Sequence, residues 1–202
     1  MICIIDYDLG NVLSVKNAIK KLGFDCKISR DESEISKCRA IILPGVGSFE
    51  KGINNLKKYG LIKVLNYNVL QNKKKILGIC LGLQLMCKYS EEFGEHQGLS
   101  WINARVKKIN SNELRLPHVG WNKMKILQNN NLLKNIYEDE RLYFNHSYCA
   151  KKELINKFNV LAECNYGEDF IAAIQQENIF GIQPHPEKSQ NAGLKILKNF
   201  CE

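Results

Sequence analysis

The first half of the chain alternates between two spacings of apolar residues. Ile2–Ile5, Ala40–Leu43 and Lys75–Ile79 are short, nearly continuous apolar runs, the signature of strands covered on both faces, and 24–28 is a fourth strand of similar length. Between them, 11–22 and 49–71 carry apolar residues at helical spacing. Gly23 fits a C-cap for the first of these helices, and Gly60 is expected to break the second. The segment 81–89 reads as a helix that starts as soon as the strand Lys75–Ile79 ends. Repeated strand–helix units predict a parallel sheet with helices on both faces, and ligands of such sheets gather at the carboxyl ends of the strands.

After residue 100 the pattern changes. The segments 101–109, 122–126, 141–147, 159–163, 170–175 and 179–183 are strand candidates joined by turns, and 188–200 reads as a closing helix. This predicts an antiparallel or mixed extension of the sheet. No linker or repeat interrupts the chain, so a single domain over 1–202 is expected.

Composition narrows the class. Hydrophobic residues make up 45% and charged residues 25% of the 202, as in ordinary soluble proteins, and the apolar runs are too short for a bilayer. The N-terminus resembles a buried strand more than a leader, so a cytoplasmic location and no membrane association are expected. The eight cysteines are irregularly spaced, with no CxxC pair and no histidine at zinc-finger distance. Reduced thiols and no metal follow as expectations. The net charge of +8 comes from scattered lysines without a nucleic-acid-binding signature, which argues against nucleic acid and leaves an acidic partner or a phosphorylated metabolite as its better use.

The sharpest chemical signal is Cys80. It interrupts Gly78-Ile79-Cys80-Leu81-Gly82 where a strand gives way to a helix, the setting of a nucleophile elbow. The competing reading is a buried core cysteine. A nucleophilic thiol needs a base, and the base needs an orienting acceptor. Of the four histidines, His185 is the best base: it follows a strand, sits between Pro184 and Pro186, and has Glu187 two residues on, on the same side of an extended segment. Pro44-Gly45-Val46-Gly47 also follows a strand. Its backbone N–H groups, with that of Leu81, are candidates for an oxyanion hole. A phosphate-cradling loop and a plain turn remain alternatives there, although no GxxxxGK[ST] run is present.

Gly78–Gln84, preceded by Pro44–Gly47 and followed by His185-Pro186-Glu187, resembles the class I (triad-type) glutamine amidotransferases over essentially the whole chain. Within that superfamily, Leu116–Asn122, Tyr143–Tyr148, Lys188-Ser189 and Asp6–Asn11 resemble the family of glutaminase subunits of imidazole glycerol phosphate synthase. The resemblance implies a three-layer, flavodoxin-like α/β fold with a mostly parallel central sheet. It implies that Cys80, His185 and Glu187 hydrolyse L-glutamine to glutamate and ammonia, with Val46, Gly47 and Leu81 at the oxyanion. Gln84, Glu92, Ser147 and Tyr148 would bind the glutamine, while His96 and His146 are assigned no role, although His146 is placed to help shape that site. No cofactor is implied. The implied partner is a (β/α)8-barrel cyclase subunit that receives the ammonia and makes imidazole glycerol phosphate and an aminoimidazole carboxamide ribotide in histidine biosynthesis. Asn11, His118, Trp121, Tyr143 and Lys188 would face that barrel or gate the tunnel.

Pro184, Asn145 and Gln190 depart from the family pattern. They leave open a paralogous subunit whose barrel partner amidates a sugar in surface-glycan or flagellin modification. A cysteine hydrolase or peptidase of related fold, and a non-catalytic scaffold, are the readings of other classes.

Overall fold

A computed structural model describes residues 1–202 apart from Asn112 and Leu154. Its centre is an eight-stranded sheet. The strands at its parallel end are β1 (Ile2–Ile5), β2 (Cys26–Ser29), β3 (Ala40–Leu43) and β4 (Lys75–Ile79). Three short strands follow: β5 (Cys87–Ser90), β6 (His96–Gln97) and β7 (Ile102–Lys108). The remaining strands are β8 (His118–Lys123), β9 (Lys125–Ile126), β10 (Arg141–His146), β11 (Tyr148–Ala150), β12 (Val160–Tyr166), β13 (Glu168–Gln176) and β14 (Ile179–Ile182). The helices are α1 (Val12–Lys21), α2 (Glu32–Lys37), α3 (Phe49–Lys58), α4 (Leu61–Asn66), α5 (Leu81–Met86) and α6 (Gln190–Cys201).

The large sheet runs β2-β1-β3-β4-β14-β13-β12-β9. Strands β2, β1, β3, β4 and β14 are mutually parallel, while β13, β12 and β9 extend the sheet antiparallel. The parallel part has the doubly wound flavodoxin-like order. This is the architecture expected from the sequence, including its second-half extension.

Both faces of β1 are covered, which is why its apolar run shows no polar alternation. Ile2 and Ile4 pack with Val15 and Ile19 of α1 and with Ile196 and Phe200 of α6. Cys3 and Ile5 point the other way, toward Ile35, Ile53, Leu56 and Leu65 of α2, α3 and α4. Gly60, at φ 67°, separates α3 from α4 as the pattern predicts.

Several expectations need correction. The helix 81–89 ends at Met86, and Cys87–Ser90 turns extended to pair with β7. Tertiary pairing here overrides a segment whose apolar spacing suits a helix. The strand expected at 122–126 begins at His118 and is split into β8 and β9, with β8 pairing β10 in a separate two-stranded ribbon. Helix α2 is an addition, capped by Asp31, whose carboxylate accepts from the Glu34 N–H at 3.1 Å.

Candidate active site

The register of the central strands assembles the site. β4 lies between β3 and β14, with Ile79 opposite Ile182. Cys80 leaves the sheet one residue later, and its N–H bonds the Ile182 carbonyl at 2.8 Å. Its backbone sits at φ 52° and ψ −108°, a conformation that side-chain-bearing residues avoid and that nucleophile elbows impose. Gly82 makes the turn possible: a Cβ there would lie 1.8 Å from the Leu43 carbonyl oxygen of β3.

Cys80 lines a cavity of about 290 Å3 at this carboxyl edge. Every residue expected at the oxyanion or the glutamine lines the same cavity: Val46, Gly47, Leu81, Gln84, Glu92, Ser147 and Tyr148. Gly47 takes φ +106°, which few residues other than glycine adopt. The loop before it is fixed from beneath by buried Tyr7, whose hydroxyl donates to the Pro44 carbonyl at 2.7 Å. Cavities of about 560 and 490 Å3 lie elsewhere, lined in part by Asn130 and Asn131. Chemistry, not size, selects the smaller one.

His185 lies close enough to Cys80 for the sulfur to act on its charge, and it pairs with Glu187. His185 Nδ1 is 2.9 Å from Glu187 Oε1, and both side chains are buried. The contact forms because Pro186–Lys188 is a 3-10 turn, not the extended segment expected from the sequence. The His185 backbone is clamped: its N–H bonds the Tyr143 carbonyl at 2.8 Å, and its carbonyl accepts from Ser189 Oγ at 2.6 Å. Burial opposes charge on this imidazole, but Cys80 and Glu187 together outweigh it and hold His185 up at about 10. Its Nε2 has no hydrogen-bond partner among the described residues.

Glu92 is partly buried. It follows β5, and its carboxylate accepts from the Phe49 N–H at 2.6 Å, at the start of α3. This ties the cavity wall to the helix that follows the Pro44–Gly47 loop. Gln84 is buried, and its amide nitrogen donates to the Tyr148 carbonyl at 2.9 Å.

Of the residues expected on a partner face, Trp121 is 41% exposed, and its ring meets Tyr143 edge-on at 6.0 Å. Lys188 lies 5.6 Å over the Tyr143 ring. Asn11 is partly exposed just before α1. His118 is corrected: it is buried, stacked between Phe144 and Tyr166, because even-numbered positions of β8 point inward. Its Nδ1 is 3.3 Å from His146 Nε2, and His146 Nδ1 is 2.8 Å from the Tyr148 carbonyl. Burial depresses both imidazoles, His118 to about 4 and His146 to about 3.

Two site residues escape a reading of the sequence. Phe93 stands 83% exposed at the cavity mouth, its ring 6.5 Å from that of Tyr148. Gln183 is fully buried beside Cys80, its Nε2 3.5 Å from Sγ. Its signal is positional: β4 and β14 are parallel neighbours, so the residue after each strand meets its counterpart.

A cysteine at a strand–helix elbow, next to a buried His–Glu pair and lining a cavity, is the equipment of acyl transfer from an amide. The chain belongs to the class I glutamine amidotransferase family, whose model matches residues 3–202. It is 48% identical, over 100% of this chain and 99% of the relative, to imidazole glycerol phosphate synthase subunit HisH 2 of Methanococcus maripaludis. It is 43% identical, with the same coverage, to the HisH subunit of Leptospira borgpetersenii. Among solved structures, a putative GMP synthase component from Thermoplasma acidophilum superposes with a TM-score of 0.75 at 20% identity, covering 99% of this chain and 91% of that one, a likeness of fold. No helix among the described residues is long and apolar enough to cross a membrane.

Proposed function

We propose that this chain is the glutaminase subunit of an imidazole glycerol phosphate synthase. The observation that carries the reading is a cavity lined by Cys80 next to a buried His185–Glu187 pair whose imidazole the sulfur helps to hold charged, in a chain 48% identical along its length to such a subunit. His185 takes the Cys80 proton as the sulfur attacks the side-chain amide carbon of L-glutamine, and the backbone around Val46, Gly47 and Leu81 holds the oxyanion. His185 protonates departing ammonia, leaving a glutamyl thioester on Cys80. Water activated by His185 then releases glutamate, while Glu187 keeps the imidazole oriented. Gln84, Glu92, Ser147 and Tyr148 contact the amino-acid end of the substrate.

Free ammonia protonates and escapes, so the product needs a protected route. A (β/α)8-barrel cyclase subunit docked over the cavity in a cytoplasmic heterodimer provides it. Asn11, Trp121, Tyr143 and Lys188 face that barrel. The test is glutamate release by the purified chain with and without the cyclase partner. Activity that rises on mixing, together with formation of imidazole glycerol phosphate, supports the reading; a mixture that hydrolyses no glutamine overturns it.

A second reading rests on two points: relatives in M. maripaludis and Pseudomonas aeruginosa are named HisH 2, and Pro184, Asn145 and Gln190 are the positions read above as departing from the family pattern. Glutaminase activation by a sugar-amidating barrel, without imidazole glycerol phosphate formation, would select it.

A further inference from the structure

Gln183 lies between the nucleophile and Gln84. It is fully buried, donates from Nε2 to Cys80 Sγ at 3.5 Å, and receives at Oε1 the Gln84 amide nitrogen at 3.2 Å. Side-chain amides have two chemically opposite ends, so the direction of this chain must be settled. Hydrogen-bond logic settles it. The Tyr148 carbonyl can only accept, so Gln84 must present its NH2 group there, 2.9 Å away. The same NH2 group faces Gln183, which must answer with its oxygen. The Gln183 nitrogen is then left facing the sulfur. The order Tyr148 carbonyl, Gln84, Gln183, Cys80 has no flipped alternative that keeps all its bonds.

We infer that Gln183 is a positioning residue for the nucleophile: its oriented amide donates to Cys80 Sγ and holds the thiolate in place for attack. The inference deepens the glutaminase reading and rests on it. Thiolate, not thiol, attacks, and an N–H donor stabilises the anion. His185 cannot supply this donor throughout, because it must hand its proton to the leaving ammonia. Gln183 keeps its amide protons at every step, so its donation does not depend on where the His185 proton stands. The backbone holds Gln183 rigid: its N–H bonds the Ala172 carbonyl of β13 at 2.8 Å, and Pro184 follows.

The test uses the full chain and two readouts. The first is the rate of iodoacetamide alkylation at Cys80 near neutral pH, read by peptide mass spectrometry to separate it from the other cysteines. The second is the kcat and KM of the glutaminase reaction in the cyclase complex. Gln183→Met keeps the volume and loses the donor. Alkylation should slow about tenfold and kcat should fall by tenfold or more, the scale of one hydrogen bond to a charged group. KM should move less than about threefold, since Gln84 keeps its Tyr148 anchor. Alkylation within twofold of wild type, or a raised KM with unchanged kcat, overturns the inference. If Gln183→Met does not fold, Gln84→Met frees the Gln183 amide to turn, and the same alkylation assay decides: slowing supports the inference, an unchanged rate overturns it. Alkylation needs no glutamine, so it judges Gln183 even if wild-type complex proves inactive, an outcome that would fell the glutaminase reading instead.

Discussion

Cys80 carries the strain of the site in its own backbone, at φ 52° and ψ −108°. Such strain persists only where the surroundings over-determine it. Here they are the Ile182 carbonyl holding its N–H and the bare Gly82 against Leu43. Replacing only the sulfur leaves this frame intact, so Cys80→Ala should keep the fold and the affinity for the cyclase while glutaminase activity drops below about 1%, because losing a nucleophile costs several orders of magnitude. Glutamate release by the purified Cys80→Ala complex is the check, and activity above that level removes Cys80 as nucleophile. Cys80 was legible from two glycines and a pattern switch. The His185–Glu187 contact was legible as a pair but not as a geometry, since a 3-10 turn makes it. Gln183 was not legible as a neighbour of the sulfur, because only strand order and register place it there.

Among the elements, α5 is the one whose packing leaves least room. Gly82→Ala would drive a methyl group to 1.8 Å from the Leu43 carbonyl oxygen, a backbone atom of a central strand that cannot yield cheaply. We expect a loss of about 3 kcal/mol or more, or failure to fold, measured by urea titration; a variant as stable as wild type would mean that α5 does not press on β3 as described. The ribbon of β8 and β10 makes a separate, pH-dependent prediction. Two hydrogen bonds lock its tautomers: His146 donates from Nδ1 to the Tyr148 carbonyl, so its Nε2 must accept from His118 Nδ1. Both imidazoles are neutral in the fold, held to about 4 and about 3, whereas an unfolded histidine titrates near 6.5. The stability they confer is complete above about pH 6.5 and is lost as pH falls, because the unfolded chain then binds the extra protons. Unfolding free energy should therefore decline between about pH 6.5 and 4, and His146→Gln should flatten that slope by about 1 kcal/mol per pH unit. An unchanged slope would mean that His146 is charged in the fold. Elements were read well where one pattern dominated, as in β1, β3 and β4. They were misread where pairing partners far along the chain decide the outcome, as for Cys87–Ser90 and the split near Met124.

For the molecule as a whole, the carboxyl edge of the sheet that holds the cavity also bears exposed apolar side chains. Val119 and Trp121 are exposed on β8, Phe93 stands at the cavity mouth and Leu13 lies in the first turn of α1. Trp121 leans on Tyr143, which Lys188 covers, so the aromatic pair is held before anything docks. Large, preorganised aromatics of this kind carry most of the binding energy of protein interfaces. Trp121→Ala should weaken the cyclase complex by about tenfold to a hundredfold, in line with an interface hot spot of about 2 kcal/mol, when titrated by calorimetry. The melting temperature of the free chain should hardly change, because a half-exposed ring on a two-stranded ribbon contributes little to the core. The two measurements separate the explanations: lost affinity with an unchanged melting temperature places the partner on this face, and unchanged affinity means that the cyclase docks without Trp121.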